Sequence, residues 1–145
     1  MDLDGIFEQW EQDSKIDILE LSHSAADVAV LHHKYHKLLS RERLILRKME
    51  ADLKVLKLEK SEFYIDGPTQ EQVERGWKLP PRGRVLKTEA ANYVEADEDV
   101  IKQTLRLAYQ KEKVEVLESI IRSIMHRGFQ IKSAIDYEKF KVGAM

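Results

Sequence analysis

The sequence predicts a mainly α protein: two long antiparallel helices, a connecting insertion and a short C-terminal helix. Three observations carry this. Apolar residues step alternately by four and three along two separate stretches, as in a buried helical seam. Proline is absent from Leu19 to Tyr64. Helix breakers are scarce, with six Gly and three Pro in 145 residues, and most of them fall between Gly67 and Gly83. The length suits one helical domain over 1–145. Its parts are 1–64, 65–96 and 97–145.

Residues 3 to 12 read as a short acidic helix with Leu3, Ile6, Phe7 and Trp10 on one face. Asp13-Ser14 interrupts it. A seam then runs through Leu21, Ala25, Val28, His32, Tyr35, Leu39, Glu42, Leu46, Met49, Leu53, Leu56, Lys60 and Phe63. Leu31, Leu38 and Ile45 form a second, offset stripe. One helix of about 45 residues, near 65 Å long, follows from this spacing. It must bury its seams against other helices or other copies.

Asp66-Gly67-Pro68 stops that helix, because Gly accepts a left-handed terminus and Pro blocks continuation. Thr69 with Gln72 predicts a capping box for a brief helix ending at Gly76. Trp77 to Lys87 is expected to be extended or looped, with Val85-Leu86 a candidate strand. Leu86 to Ala96 stays ambiguous. Asp97 predicts an N-cap, with Glu98 and Asp99 in the first turn. A helix to about Arg127 follows, its seam Val100, Thr104, Leu107, Lys111, Val114, Glu118, Ile121 and Met125. Leu117, Ile120 and Ile124 widen the apolar face, which is broader than a two-helix seam requires. Arg127-Gly128 reads as a C-terminal cap, and Phe129 to Phe140 as the last short helix.

The chemistry is bounded mostly by exclusions. The sequence has no cysteine, so disulfides, thiolate metal sites and cysteine nucleophiles are excluded. Its N-terminus lacks a basic region before an apolar run, and no apolar run approaches about 18 residues, so neither a signal peptide nor a membrane span is expected. No glycine-rich phosphate loop, dinucleotide fingerprint, nucleophile elbow or zinc-protease motif occurs. His32 and His36 share a helix face but lack a third ligand, so no metal site is expected. Asp97, Glu98 and Asp99 read as helix capping rather than as an acidic site.

Net charge is −2, yet the charges are segregated. Residues 1 to 30 carry Asp2, Asp4, Glu8, Glu11, Asp13, Asp17, Glu20 and Asp27 against Lys15 alone. Arg75, Lys78, Arg82, Arg84 and Lys87 enclose no acid. Two basic features fit a polyanion. Lys54, Lys57 and Lys60 recur by three and lead to Phe63-Tyr64, a basic face ending in aromatics as single-strand binding uses. The competing reading makes Phe63 the last seam residue and the lysines solvated. The second feature is Trp77-Lys78-Leu79-Pro80-Pro81-Arg82-Gly83-Arg84, with Arg82 and Arg84 as phosphate contacts. The competing reading is an exposed loop with Trp77 packed back on the helices.

The order of these segments resembles the UvsY family of recombination mediators of T-even-like phages, over nearly the whole chain. The resemblance rests on Ile16-Asp17 and Leu21 to Val28, the long basic helix to Phe63-Tyr64 with Gly67 beyond, and Tyr93 to Val100. Most characteristic is Ile120 to Lys132, with its Arg127-Gly128-Phe129 core. It implies a ring-like homo-oligomer, hexamer or heptamer, that binds single-stranded DNA in the cytoplasm of the infected bacterial host. It further implies help in loading a UvsX-like recombinase onto strands coated by the phage single-stranded-DNA-binding protein, without nucleotide hydrolysis or a cofactor. In the family, a Lys-x-Arg pair just before the paired aromatics is linked to DNA binding. Here Leu58 takes the first position and Lys60 the second.

The expected strand contacts are therefore Lys54, Lys57, Lys60, Tyr64, Arg82 and Arg84. The expected assembly surface is Val114, Leu117, Ile120, Ile121, Ile124, Met125, Phe129 and Ile135. The alternatives are a structural coiled-coil scaffold without nucleic-acid affinity and, last, a metal-dependent enzyme on a helical bundle, which would draw ligands from several helices.

Overall fold

The computed structural model describes residues 1–15 and 21–143, with 21–25 described by their backbone alone. Ile16-Asp17 and the seam side chains of Leu21 and Ala25 lie outside the described residues. Among the described residues five helices follow in order: α1 (Leu3–Asp13), α2 (Leu21–Asp66), α3 (Gln70–Glu74), α4 (Ala90–Glu95) and α5 (Glu98–Gly143). Among the described residues there is no strand. Val85 instead makes a single link, its N–H donating to the Tyr64 carbonyl at 2.8 Å.

Local chemistry explains most boundaries. The Asp2 carboxylate caps α1 by accepting from the Gly5 N–H at 2.8 Å. Gly67, at φ +93°, ends α2 in a conformation that disfavours a side chain, and its N–H returns to the Phe63 carbonyl. The Thr69–Gln72 capping box starts α3, with both reciprocal bonds present. The ambiguous stretch before Asp97 contains α4. The Asp97 carboxylate caps α5, accepting from the N–H groups of Asp99 and Val100 at 2.9 and 3.2 Å.

Two expectations need correction. Gly128 does not end a helix: α5 runs unbroken to Gly143, and Phe129 to Phe140 is its continuation. Gly128 has no positive φ, and one helical Gly costs only about 1 kcal/mol relative to Ala. The phase of the α5 seam also differs. Buried positions are Val100, Leu107, Gln110, Lys113, Val114, Leu117, Ile120, Ile124, Arg127 and Ile131, whereas Thr104, Lys111 and Met125 are exposed. Polar residues inside the seam conceal its true phase.

The chain forms two compact units, one of residues 1–44 and 111–145, the other of residues 45–110. In the first, Ile6, Tyr35, Leu39, Leu117 and Ile124 are buried. Val28 lies near Gly128, and Arg43 pairs with Glu118 at 3.0 Å. Glu42 and Lys113 form a buried ion pair at 3.2 Å. Arg127 reaches α1: its guanidinium donates to the carbonyls of Asp13 and Lys15 at 2.8 and 2.6 Å. The cation expected at the end of its own helix thus neutralises the negative end of another. In the second unit, Leu53, Leu56, Phe63, Tyr64, Trp77, Val94, Val100 and Leu107 make one core.

Candidate nucleic-acid interface

Lys60 is the centre of the second unit's polar chemistry. It falls on the buried seam of α2 and is only 2 % exposed. Its ammonium donates to Asp99 at 2.8 Å and pairs with Asp97 at 3.2 Å. The same ammonium lies 3.7 Å from the centroid of the Trp77 ring, a close cation–π contact. Trp77 also meets Phe63 edge-on, with centroids 5.3 Å apart, and carries the Arg75 guanidinium at 4.7 Å.

Tyr64 is buried beside it and donates its hydroxyl to Asp97 at 2.7 Å. Burial raises the Asp97 pKa, but the hydrogen bonds from Tyr64 and Val100 and the charge of Lys60 outweigh this and hold it below the usual carboxylate value. Burial, then the Asp97 bond, raises the Tyr64 pKa well above that of a free phenol. This network ties three things together: the end of α2, the loop after α3, and the N-terminus of α5. A hollow of about 350 Å³ adjoins it, lined in part by Arg75, Lys78, Trp77, Glu98 and Asp99.

The expected strand contacts therefore separate. Lys60 and Tyr64 are core groups with their polar atoms engaged inside the unit. Lys57 is half-buried and pairs with Glu95 at 3.1 Å. Lys54, Arg82 and Arg84 are exposed, and among the described residues no carboxylate pairs with them. Lys78 and Lys87, in the same acid-free run, are equally exposed and unpaired among the described residues. Both are legible in the sequence as members of that run, whereas Lys60 belongs to the buried seam. The stem of Arg84 lies across Gly67, where an added Cβ would meet it at 3.5 Å. That contact and the Val85–Tyr64 bond fold the basic loop back onto the end of α2.

The expected assembly residues separate in the same way. Val114, Leu117, Ile120 and Ile124 are buried within the first unit, and Ile121 and Ile135 are half-buried. Met125 and Phe129 face outward, Phe129 at 70 % exposure, as do Tyr137, Phe140 and Val142. His32 and His36 stack with ring centroids 5.8 Å apart. Among the described residues no group of three or more His, Cys, Asp or Glu side chains gathers to hold a metal ion. No described helix is long and apolar enough to cross a membrane.

Comparison with known proteins places this architecture. Residues 9–144 match the family described as recombination, repair and ssDNA binding protein UvsY. The chain belongs to the UvsY family. Crystal structures of the bacteriophage T4 recombination mediator protein UvsY share its fold. Lattice type II matches with a TM-score of 0.81 and 27% identity, covering 98% of each chain. Lattice type IV matches with a TM-score of 0.79 and 25% identity, covering 97% of this chain and 99% of that one. Lattice type I gives 0.79 and 25%, covering 94% and 98%. Among curated proteins no significant match was found. Membership in the UvsY family attaches the chain to phage recombination, repair and single-stranded-DNA binding.

Proposed function

We propose that this chain is a recombination mediator of an infected bacterial cytoplasm. It binds single-stranded DNA and promotes loading of a UvsX-like recombinase onto strands coated by the phage single-stranded-DNA-binding protein. The observation that carries the reading is the set of exposed, unpaired cations in the second unit of a UvsY-family chain: Lys54, Lys78, Arg82, Arg84 and Lys87. Their charges are available to displace counterions from a phosphate backbone.

Assembly completes the reading. Met125 and Phe129 lie one helical turn apart on the outside of α5, and Tyr137 and Phe140 extend the apolar surface toward its end. A ring-like homo-oligomer built through this surface repeats the basic loop in each subunit, so modest contacts sum by avidity. The buried members of the expected set, Val114, Leu117, Ile120 and Ile124, support that surface from within. The coiled-coil scaffold reading shares the assembly but leaves the acid-free loop without a role.

The test is recombinase ATP turnover on single strands pre-coated with the phage single-stranded-DNA-binding protein. Adding the chain should shorten the lag before turnover. An unchanged lag, with the recombinase active on bare strands, would reject mediation.

A further inference from the structure

Single-strand binding surfaces commonly pair cations with aromatic platforms on which bases stack. The second unit has both ingredients in its sequence, since Phe63, Tyr64 and Trp77 neighbour its lysines and arginines. The structure separates them. Phe63 is 1 % exposed, and Tyr64 and Trp77 are each 8 % exposed. Their rings are engaged with one another, with Tyr93 and with Lys60. The Tyr64 hydroxyl is committed to Asp97. The free cations, by contrast, stand on the exposed face of α2 and on the loop from Lys78 to Lys87, neither of which presents an exposed aromatic residue; Tyr109, the exposed aromatic side chain of this unit, stands on α5 instead.

We propose that the basic surface of the second unit grips a single strand through its phosphates alone, leaving the bases unstacked on protein and accessible. This rests on the strand-binding reading above and deepens it. Trp77 is then a positioning residue: held by Lys60 and Phe63, it anchors the segment that carries Lys78, Arg82 and Arg84. The hollow beside Trp77 is the alternative seat for a base. Its carboxylates Asp97, Glu98 and Asp99 are offset by Lys60, Arg75 and Lys78 in the same lining, so it draws phosphates less strongly than the uncompensated cations of the loop do. A phosphate-only grip also suits delivery of a strand to a protein that must reach its bases.

The experiment compares labelled thymidine strands with abasic strands of equal length, by fluorescence anisotropy at several salt concentrations. Affinities within about threefold of each other, with equal salt slopes, are expected. Loss of about tenfold or more on the abasic strand would overturn the proposal and favour base capture, since each stacked base contributes on that scale. Absence of binding to both strands would instead reject strand binding itself, so the two failures are distinct. Permanganate oxidation of thymines in the complex supplies a second reading. Reactivity equal to that of the free strand is expected, and protection of the thymines would contradict it.

Discussion

Replacing Lys60 by Met removes the cation at the centre of the second unit while keeping an unbranched apolar stem. Asp97, its buried partner, then loses a charge at 3.2 Å, and Asp99 loses one at 2.8 Å. Breaking a buried pair by deleting one partner costs about 3–5 kcal/mol. The lower end applies here, because Asp97 keeps the Tyr64 hydroxyl and two backbone N–H groups, and the Asp99 side chain is half exposed. A loss of about 3 kcal/mol follows, or roughly a 10 °C fall in melting temperature for a chain of this size. Circular dichroism during thermal and urea unfolding measures it. Lys54→Met, at an exposed site, should stay within about 0.5 kcal/mol of the parent. Adding Asp97→Asn to Lys60→Met should recover part of the loss, since Asn still caps a helix and carries no charge. The folded fraction of Lys60→Met should keep the parent's salt slope for strand binding. Unchanged stability together with a slope shallower by about 0.7 would refute the reasoning and make Lys60 a phosphate contact.

Three further outcomes are expected. Arg127→Ala removes two charge-assisted bonds to the end of α1, at about 1.5–3 kcal/mol for each such bond; limited proteolysis should then cut first near α1, and equal protection of the parent and variant would contradict this. Phe129→Lys should disperse the proposed oligomer in sedimentation while leaving the helical content and melting of the subunit nearly unchanged, because the side chain is exposed; an intact oligomer would move the interface elsewhere. Asp13 and Asp97 both have folded pKa values below the ordinary 3.8, so their stabilisation is present above that value and is lost as pH falls through the lower, folded ones. Tyr35 and Tyr64 are raised from 10.0, so their contribution is full below pH 10 and declines above it. Urea midpoints across pH should fall at both extremes, and a midpoint that holds steady below pH 3.8 would contradict the carboxylate assignments.

Much of the fold was legible because its signals are local. The alternating steps of α2 place Tyr35, Leu39, Leu53, Leu56 and Phe63 inside, and all are buried. Capping chemistry at Thr69 and Asp97 and the stop at Gly67 depend on neighbouring residues only. The α5 seam was harder to read, because its interior holds Gln110, Lys113 and Arg127. Lys113 finds Glu42 and Arg127 finds α1, and neither partner is near in sequence. Lys60 had two legible identities, a seam position and a member of a basic run. Periodicity decided its place, because a seam position faces the core whatever its charge, and Asp97, Asp99 and Trp77 supply the compensation. Trp77's burial follows from the same network, which the loop composition alone does not reveal.

The most direct test of the strand-binding role is fluorescence-anisotropy titration of labelled single-stranded DNA at several salt concentrations, using the parent and an Arg82→Ala, Arg84→Ala double variant. Affinity of the parent should fall linearly with the logarithm of salt concentration. The slope of the variant should be shallower by about 1.4, with its melting temperature lowered only by the small loss of the Arg84 stem's contact at Gly67. Flat curves for the parent, or identical slopes for the two proteins, would contradict a strand held by this loop.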